Sequence, residues 1–281
     1  MPRDLPKKLD ACPPETLRAM KPWLEMWNRR METPDYIEKD PVLFMHSFEE
    51  REDRLLAGFF AALMAWGRRD VVIAKVDDLM KRMDYRPNRF IRDFGERERD
   101  RLDGFKHRTF KPVDIYWLVN ILQSALERHG GMEAFWRHCH EEAQRQERPL
   151  IALFHDEFFA LHPEAAQRTR KHISNPEKNS SCKRLYLYLR WCVREGPVDT
   201  GLMDFISPSE LMVPLDVHVA RQARALGLLT RRYNDWKAVR ELTGVLRKLD
   251  PGDPARYDFG LFGLGVSGKP IPDRFLVNPK V

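Results

Sequence analysis

Apolar residues recur at helical spacing along most of the chain. Between residues 41 and 66, Leu55, Leu56, Phe59, Phe60 and Leu63 fall on one stripe, which predicts a largely buried helix. The same period predicts helices over residues 15–30, 70–83, 113–130, 132–146, 149–161, 181–195, 217–226, 234–249 and 254–264. No segment alternates apolar and polar residues between hairpin turns, so no strand is predicted. The pattern predicts an all-α fold of about ten helices.

Composition and charge narrow the class of protein. The 281 residues are 43% apolar and 32% charged, as in globular proteins, and the net charge of +6 fits a polyanionic partner. No apolar run approaches the roughly 20 residues that span a bilayer, and the N-terminus lacks the apolar core of a secretion signal. We therefore expect a cytoplasmic protein with no membrane contact. The four cysteines form no Cys-x-x-Cys pair, so neither a metal site nor a cofactor is expected.

Two helix N-termini carry residues with candidate chemistry. Lys183 lies in the first turn of the helix predicted over 181–195, which Ser180 or Ser181 can cap. The positive pole of a helix disfavours a protonated amine there, and a nucleophilic amine must be unprotonated. Asp216 opens the helix predicted over 217–226, after an apolar lead-in that favours a buried segment ending in a cleft. The alternatives are a lysine that extends to solvent and an aspartate that is only an N-cap.

The segment 213–224, Val-Pro-Leu-Asp-Val-His-Val-Ala-Arg-Gln-Ala-Arg, resembles the Val-Asp-x-His-x-x-Arg signature of the helix-hairpin-helix DNA glycosylase superfamily. Lys183 resembles the lysine nucleophile of that superfamily, and the apolar segment 59–70 is similar to its early helix and DNA-facing turn. The long connection between Lys183 and Asp216 is closest to the archaeal 8-oxoguanine glycosylase branch. The chain also resembles a bacterial family of unassigned function, DUF2400, through Asn-Pro-Glu-Lys-Asn-Ser-Ser-Cys-Lys-Arg and through the block at 257–265.

The resemblance implies a two-lobed helical glycosylase that excises a damaged base from double-stranded DNA, with oxidised purines such as 8-oxoguanine as substrates. Lys183 would attack C1′ and form a Schiff base, and Asp216 would act as acid and base. The enzyme would be either monofunctional or bifunctional, the latter with AP lyase activity. Leu187 and Phe262 would sandwich the base, Asp258 would hydrogen-bond to it, and Gly67 would allow close approach. The two lobes would be residues 53–212 and residues 1–52 with 213–281, and the cleft would lie between them.

A basic face accompanies this candidate site. We expect Arg68, Arg69, Lys178, Arg221 and Arg224 to contact DNA phosphates, with the backbone amides from Ser180 to Lys183 holding one phosphate at a helix N-terminus. The superfamily's hairpin carries a Gly-x-Gly turn at this position, whereas the stretch 175–181 has no glycine. The resemblance implies a monomer associated with the nucleoid.

Two other classes of function stay open. A glycosylase-like scaffold can bind damaged or structured nucleic acid without cleaving it, in which case Lys183 would form no covalent adduct. An unrelated helical enzyme would have to rely on histidines, of which His218, His138 and His140 are the candidates.

Overall fold

The computed structural model describes residues 9–279, and within that range the protein has fourteen α-helices, five short 3-10 segments and no β-strand. The all-α prediction is confirmed. The helices are α1 (Pro14–Met31), α2 (Pro34–Ile37), α3 (Leu43–His46), α4 (Arg51–Met64), α5 (Arg69–Arg82), α6 (Pro87–Arg92), α7 (Glu96–Arg101), α8 (Pro112–His129), α9 (Met132–Arg145), α10 (Leu150–Ala160), α11 (Lys183–Val193), α12 (Val217–Ala225), α13 (Trp236–Leu246) and α14 (Tyr257–Ser267).

Helix α4 is the centre of one group of helices. Every residue from Leu55 to Met64 is buried, and the helix packs against α3, α5, α6, α9 and α11. The ring of Phe59 lies 5.9 Å from that of Phe154 and 5.5 Å from that of Tyr188, so α4, α10 and α11 share one aromatic cluster. This packing fixes the first turn of α11 against the last turn of α4.

Helices α1 and α12 both pack against α14. Gly260 and Gly263 of α14 permit the close approach of α1, because a Cβ on either would lie within 2.4 Å of an atom of Asn28 or Met31. The Asn28 amide oxygen accepts a hydrogen bond from the Gly260 amide at 2.8 Å. A single continuous apolar core runs through this group and the α4 group. The division into lobes at residues 53 and 213 stays a prediction.

Two local predictions were wrong. The helix predicted over 41–66 is broken, since α3 ends where the Ser47 hydroxyl donates to the Leu43 carbonyl at 2.8 Å, and Glu50 is extended before α4. Apolar residues continue through both pieces, so periodicity did not show the break. The stretch 84–112, which lies between two predicted helices and has none predicted within it, contains α6 and α7, and α6 buries Phe90 and Ile91 within a highly charged sequence.

Within residues 9–279, no helix is both long and apolar enough to cross a membrane. The four cysteines are free thiols, three of them buried. No group of three or more His, Cys, Asp or Glu side chains in this range is arranged to hold a metal ion.

Candidate functional site

A cavity of about 710 Å³ lies where the last turn of α4, the first turns of α11 and α12, and one face of α14 meet. This volume is within the range of small-molecule and base-sized sites. Nine of the residues singled out in the sequence line it, namely Gly67, Arg69, Ser181, Lys183, Leu187, Asp216, His218, Asp258 and Phe262. The fold thus brings together residues that lie almost 200 positions apart in sequence.

Lys183 and Asp216 face each other across this cavity. The Lys183 ammonium nitrogen lies 3.7 Å from Oδ2 of Asp216, and it donates to the Ala65 carbonyl at 3.4 Å. Both side chains are partly buried, so they are in reach of a ligand and shielded from bulk water. An amine and a carboxylate at this separation can exchange a proton through a short movement or one water molecule.

Asp216 is also the N-cap of α12. Its Oδ1 accepts hydrogen bonds from the amides of His218 at 2.8 Å and Val219 at 2.9 Å, which leaves Oδ2 for Lys183. The lead-in Val213, Pro214 and Leu215 is buried, as the apolar sequence predicted. The two interpretations of Asp216 are therefore compatible, because one oxygen caps the helix and the other faces the cavity.

Lys183 is positioned by a left-handed turn. Helix α11 begins at Lys183, two residues later than predicted, and its N-cap is Cys182 with φ of 48°. Neither serine caps the helix, since the Ser180 hydroxyl oxygen instead accepts from the Cys182 amide at 3.4 Å. Burial raises the pKa of the Cys182 thiol to about 11, so this cysteine is a protonated packing residue beside the site.

Asp258 forms the back of the cavity and belongs to a buried ion network. Its carboxylate pairs with Arg190, and the Arg190 guanidinium lies 3.4 Å from Asp199. Arg194 on the next turn pairs with Asp199 and, at 2.8 Å, with Glu32. Burial raises the pKa of Asp258 to about 6, outweighing the opposite effect of Arg190, and the Asp216 carboxylate adds to the increase.

The ring of Phe262, which was expected to stack on a base, is in contact with the guanidinium of Arg69. The Arg69 guanidinium lies 4.5 Å from the Phe262 ring and 5.1 Å from the Tyr36 ring, so it is in contact with both aromatic side chains. It donates to the Tyr36 hydroxyl at 3.0 Å and pairs with Asp40 at 3.3 Å. The edge of the His218 ring, 5.7 Å from Phe262, packs against the same side chain. Arg69 therefore lies inside the cavity.

Gly67 and Leu187 line other parts of the cavity. Gly67 has φ of +101°, and a Cβ there would lie 2.1 Å from the Arg108 guanidinium, which also packs 5.3 Å from the Trp66 ring. Leu187 is partly buried, one turn after Lys183 on α11. The side chain next to Gly67 is thus an arginine that the sequence did not single out.

The remaining predicted DNA contacts lie outside the cavity lining. Arg68 is exposed and paired with Asp70 at 2.5 Å, and Lys178 is exposed at the end of the 3-10 segment Pro176–Lys178. The exposed Arg221 donates to the Gly265 carbonyl at 2.9 Å. Arg224 donates to the Arg231 carbonyl and to the Asn234 side chain, which ties α12 to the loop before α13.

Three residues of the site escaped the sequence argument. Tyr36 and Asp40 come from the proline-broken segment between α1 and α4, which carried no periodic pattern. Arg190 had a signal, because it continues the stripe of Lys183 and Leu187 at helical spacing, but a charged residue on such a stripe is typical of the border of a core. It is 2% exposed, so that stripe enters the interior one turn beyond Leu187.

Comparison with known proteins agrees with one of the two resemblances. No curated protein and no solved structure matches the chain. The model of the protein family of unknown function DUF2400 matches residues 40–267, which include Lys183, Asp216, Asp258 and Phe262. That match covers most of the 281 residues. The chain therefore belongs to the DUF2400 family.

Proposed function

We propose that this protein is a DNA glycosylase with associated AP lyase activity that acts on a damaged base turned out of the duplex. The observation that carries the proposal is the Lys183 amine 3.7 Å from the Asp216 carboxylate at the edge of a base-sized cavity. An amine nucleophile with an adjacent proton acceptor is the arrangement that covalent base excision needs.

The proposed reaction uses both groups. Asp216 accepts a proton from the Lys183 ammonium, and the free amine then attacks C1′ of the damaged nucleoside. A bond forms between Nζ and C1′ while the glycosidic bond breaks, and the base leaves with the bonding electrons and takes up a proton. Ring opening of the sugar gives a Schiff base between Lys183 and C1′, from which loss of a C2′ proton eliminates the 3′ phosphate. Asp216 supplies the proton that the departing base takes up, and its carboxylate, ionised again, stabilises the positive charge on the sugar and the Schiff base.

The cavity lining supports a planar, polar ligand. Leu187 and Phe262 offer apolar surfaces, and Asp258 offers a hydrogen-bonding carboxyl at the back. For a base to stack on Phe262, the Arg69 guanidinium must leave the ring that it now covers. Asp40 is buried, and when Arg69 moves away its carboxylate keeps the hydrogen bonds from the Tyr36 hydroxyl at 2.9 Å and the Val42 amide at 3.2 Å.

A second cavity supports contact with the DNA backbone. It measures about 440 Å³, adjoins the first through Ser181 and Lys183, and lies at the N-terminus of α11 with Lys171 and Arg184 in its lining. Helix N-termini and cations both favour phosphate. A nucleotide phosphate bound here would place the sugar next to Lys183.

Borohydride trapping tests the proposal. Lesion-containing duplexes, with 8-oxoguanine first, are incubated with the protein and borohydride, and covalent complexes are scored on denaturing gels. Wild type should trap and Lys183→Gln should not, while Lys248→Gln, which removes an exposed lysine after α13, should trap like wild type. Asp216→Asn should lose excision and keep its fold, because asparagine is as good an N-cap as aspartate.

The alternative is a module that binds nucleic acid and cleaves nothing. The Lys183–Asp216 ion pair favours it, because a paired ammonium is not a nucleophile. If wild type neither traps nor excises any lesion of the panel but still binds duplex DNA, this alternative would be established and the glycosylase excluded.

A further inference from the structure

Exposed apolar side chains occur in the lining of the main cavity and directly beside it in the sequence. Six large hydrophobic residues of the described chain are exposed, and two of them, Val217 at 70% and Val266 at 47%, line this cavity. A third, Tyr233 at 74%, directly precedes Asn234, which also lines it. Single exposed apolar residues are ordinary, but a group around a cavity marks an interaction surface.

The backbone that carries Tyr233 is firmly held. Arg224 donates to the Arg231 carbonyl at 2.8 Å and to the Asn234 side chain at 2.6 Å. The Asp235 carboxylate accepts one hydrogen bond from the Arg231 guanidinium and another, at 3.1 Å, from the Asn179 side-chain amide. The loop is thereby joined both to α12 and to the turn that leads to Lys183. A tyrosine on a fixed backbone offers contact area at a low cost in conformational entropy.

The charges around Tyr233 match a polyanion. The Arg231 guanidinium lies 5.7 Å from the Tyr233 ring, and the exposed residues Arg232 and Lys237 follow in the same segment. Arg221 is exposed one turn after Val217 on α12. An aromatic ring among cations is the composition of surfaces that stack nucleic-acid bases while they attract the backbone.

We infer that Tyr233, with Val217 and Val266, forms a stacking surface for an unpaired base next to the nucleotide held in the main cavity. The inference rests on the proposed function for its ligand class, nucleic acid, and it adds a contact that the glycosylase resemblance did not supply. Tyr233 stacks on the exposed base, Val217 and Val266 cover its edge, and the neighbouring cations hold the strand.

Equilibrium binding tests this surface. Fluorescence anisotropy compares a fully paired duplex with one that carries a single unpaired 2-aminopurine, whose emission also reports stacking. Tyr233→Ala should weaken binding to the unpaired duplex by about 5- to 100-fold, the range for a lost base–aromatic stack, and should change binding to the paired duplex much less. Tyr233→Trp should retain both binding and the stacking signal. Tyr85→Ala removes an exposed tyrosine from the turn that follows α5, outside the lining of the main cavity, and should behave as wild type.

The outcomes separate this inference from the proposed function. Equal binding of Tyr233→Ala and wild type, or an equal loss in Tyr233→Ala and Tyr233→Trp, would overturn the stacking surface. A change of oligomeric state in Tyr233→Ala would overturn it too, since the surface would then join copies of the chain. Borohydride trapping is scored in the same samples. If binding depends on Tyr233 but no covalent complex is trapped, the stacking surface is supported and the glycosylase is excluded. If a complex is trapped and Tyr233→Ala binds as wild type does, the glycosylase is supported and the stacking surface is excluded.

Discussion

Replacing Asp258 with asparagine is expected to change how the stability of the protein depends on pH. Asp258 is buried behind the cavity, and burial raises its pKa from an ordinary 3.8 to about 6 despite its pairing with Arg190. Below about pH 3 the carboxyl is protonated in both the folded and the unfolded chain, and above about pH 7 it is ionised in both. Protonation of Asp258 therefore stabilises the folded state at low pH. This contribution to the free energy of unfolding is lost as the pH rises through 6.

The size of the effect follows from the pKa. A shift of about two units, at about 1.4 kcal/mol for each unit, corresponds to about 3 kcal/mol. Asparagine does not titrate, so the free energy of unfolding of Asp258→Asn, relative to wild type, should rise by about 3 kcal/mol between pH 3 and pH 7. The loss of the ion pair with Arg190 adds an offset to this difference and leaves its slope with pH unchanged.

Urea unfolding followed by tryptophan fluorescence measures the difference at several pH values, since the chain has seven tryptophans. The control is Asp204→Asn, at an aspartate whose side chain is 83% exposed, and it should unfold in parallel with wild type. A difference between Asp258→Asn and wild type that stays constant across this range would refute the argument that burial governs the Asp258 carboxyl.

Two further predictions concern the rim of the site. Gly67→Ala should lower the free energy of unfolding by about 1–2 kcal/mol, because alanine is strained at the positive φ of this residue. In urea unfolding the loss should exceed that of Gly104→Ala, because only at Gly67 must the Arg108 guanidinium also move. An equal loss in the two variants would show that the Arg108 contact is unimportant. Lys178→Gln should reduce the slope of log Kd against log salt for duplex DNA by about one, as for one lost phosphate contact, whereas an unchanged slope would exclude Lys178 from the interface.

Periodicity predicted most of the helices because burial of an apolar stripe is a local property of a helix. Periodicity failed where the apolar stripe does not show where a helix begins and ends. The buried residues of α3 and α4 form one apolar series, and only the hydrogen bond from Ser47 to the Leu43 carbonyl shows the break. Helix α6 has only six residues, and its buried Phe90 and Ile91 are adjacent in sequence, so it carried too little periodic pattern to be recognised.

Some residues of the site could be predicted from the sequence, but their arrangement could not. Lys183 and Asp216 could be singled out because each begins a helix, and the resemblance added Leu187, Asp258 and Phe262. Their meeting in one cavity depends on how α11, α12 and α14 pack, and no local pattern contains that information. The burial of Arg190 is a further example, since its partners Asp199 and Asp258 lie in distant segments.

The sequence by itself determined the all-α class, most helix positions and the placement of an amine and a carboxylate at helix N-termini. Local propensity and capping are enough for these features. The tertiary structure alone decided that Lys183 faces Asp216 at 3.7 Å, that Arg69 covers Phe262, and that Tyr233 remains exposed beside the cavity. These depend on contacts between residues far apart in the chain, where the burial of one side chain is set by which others surround it.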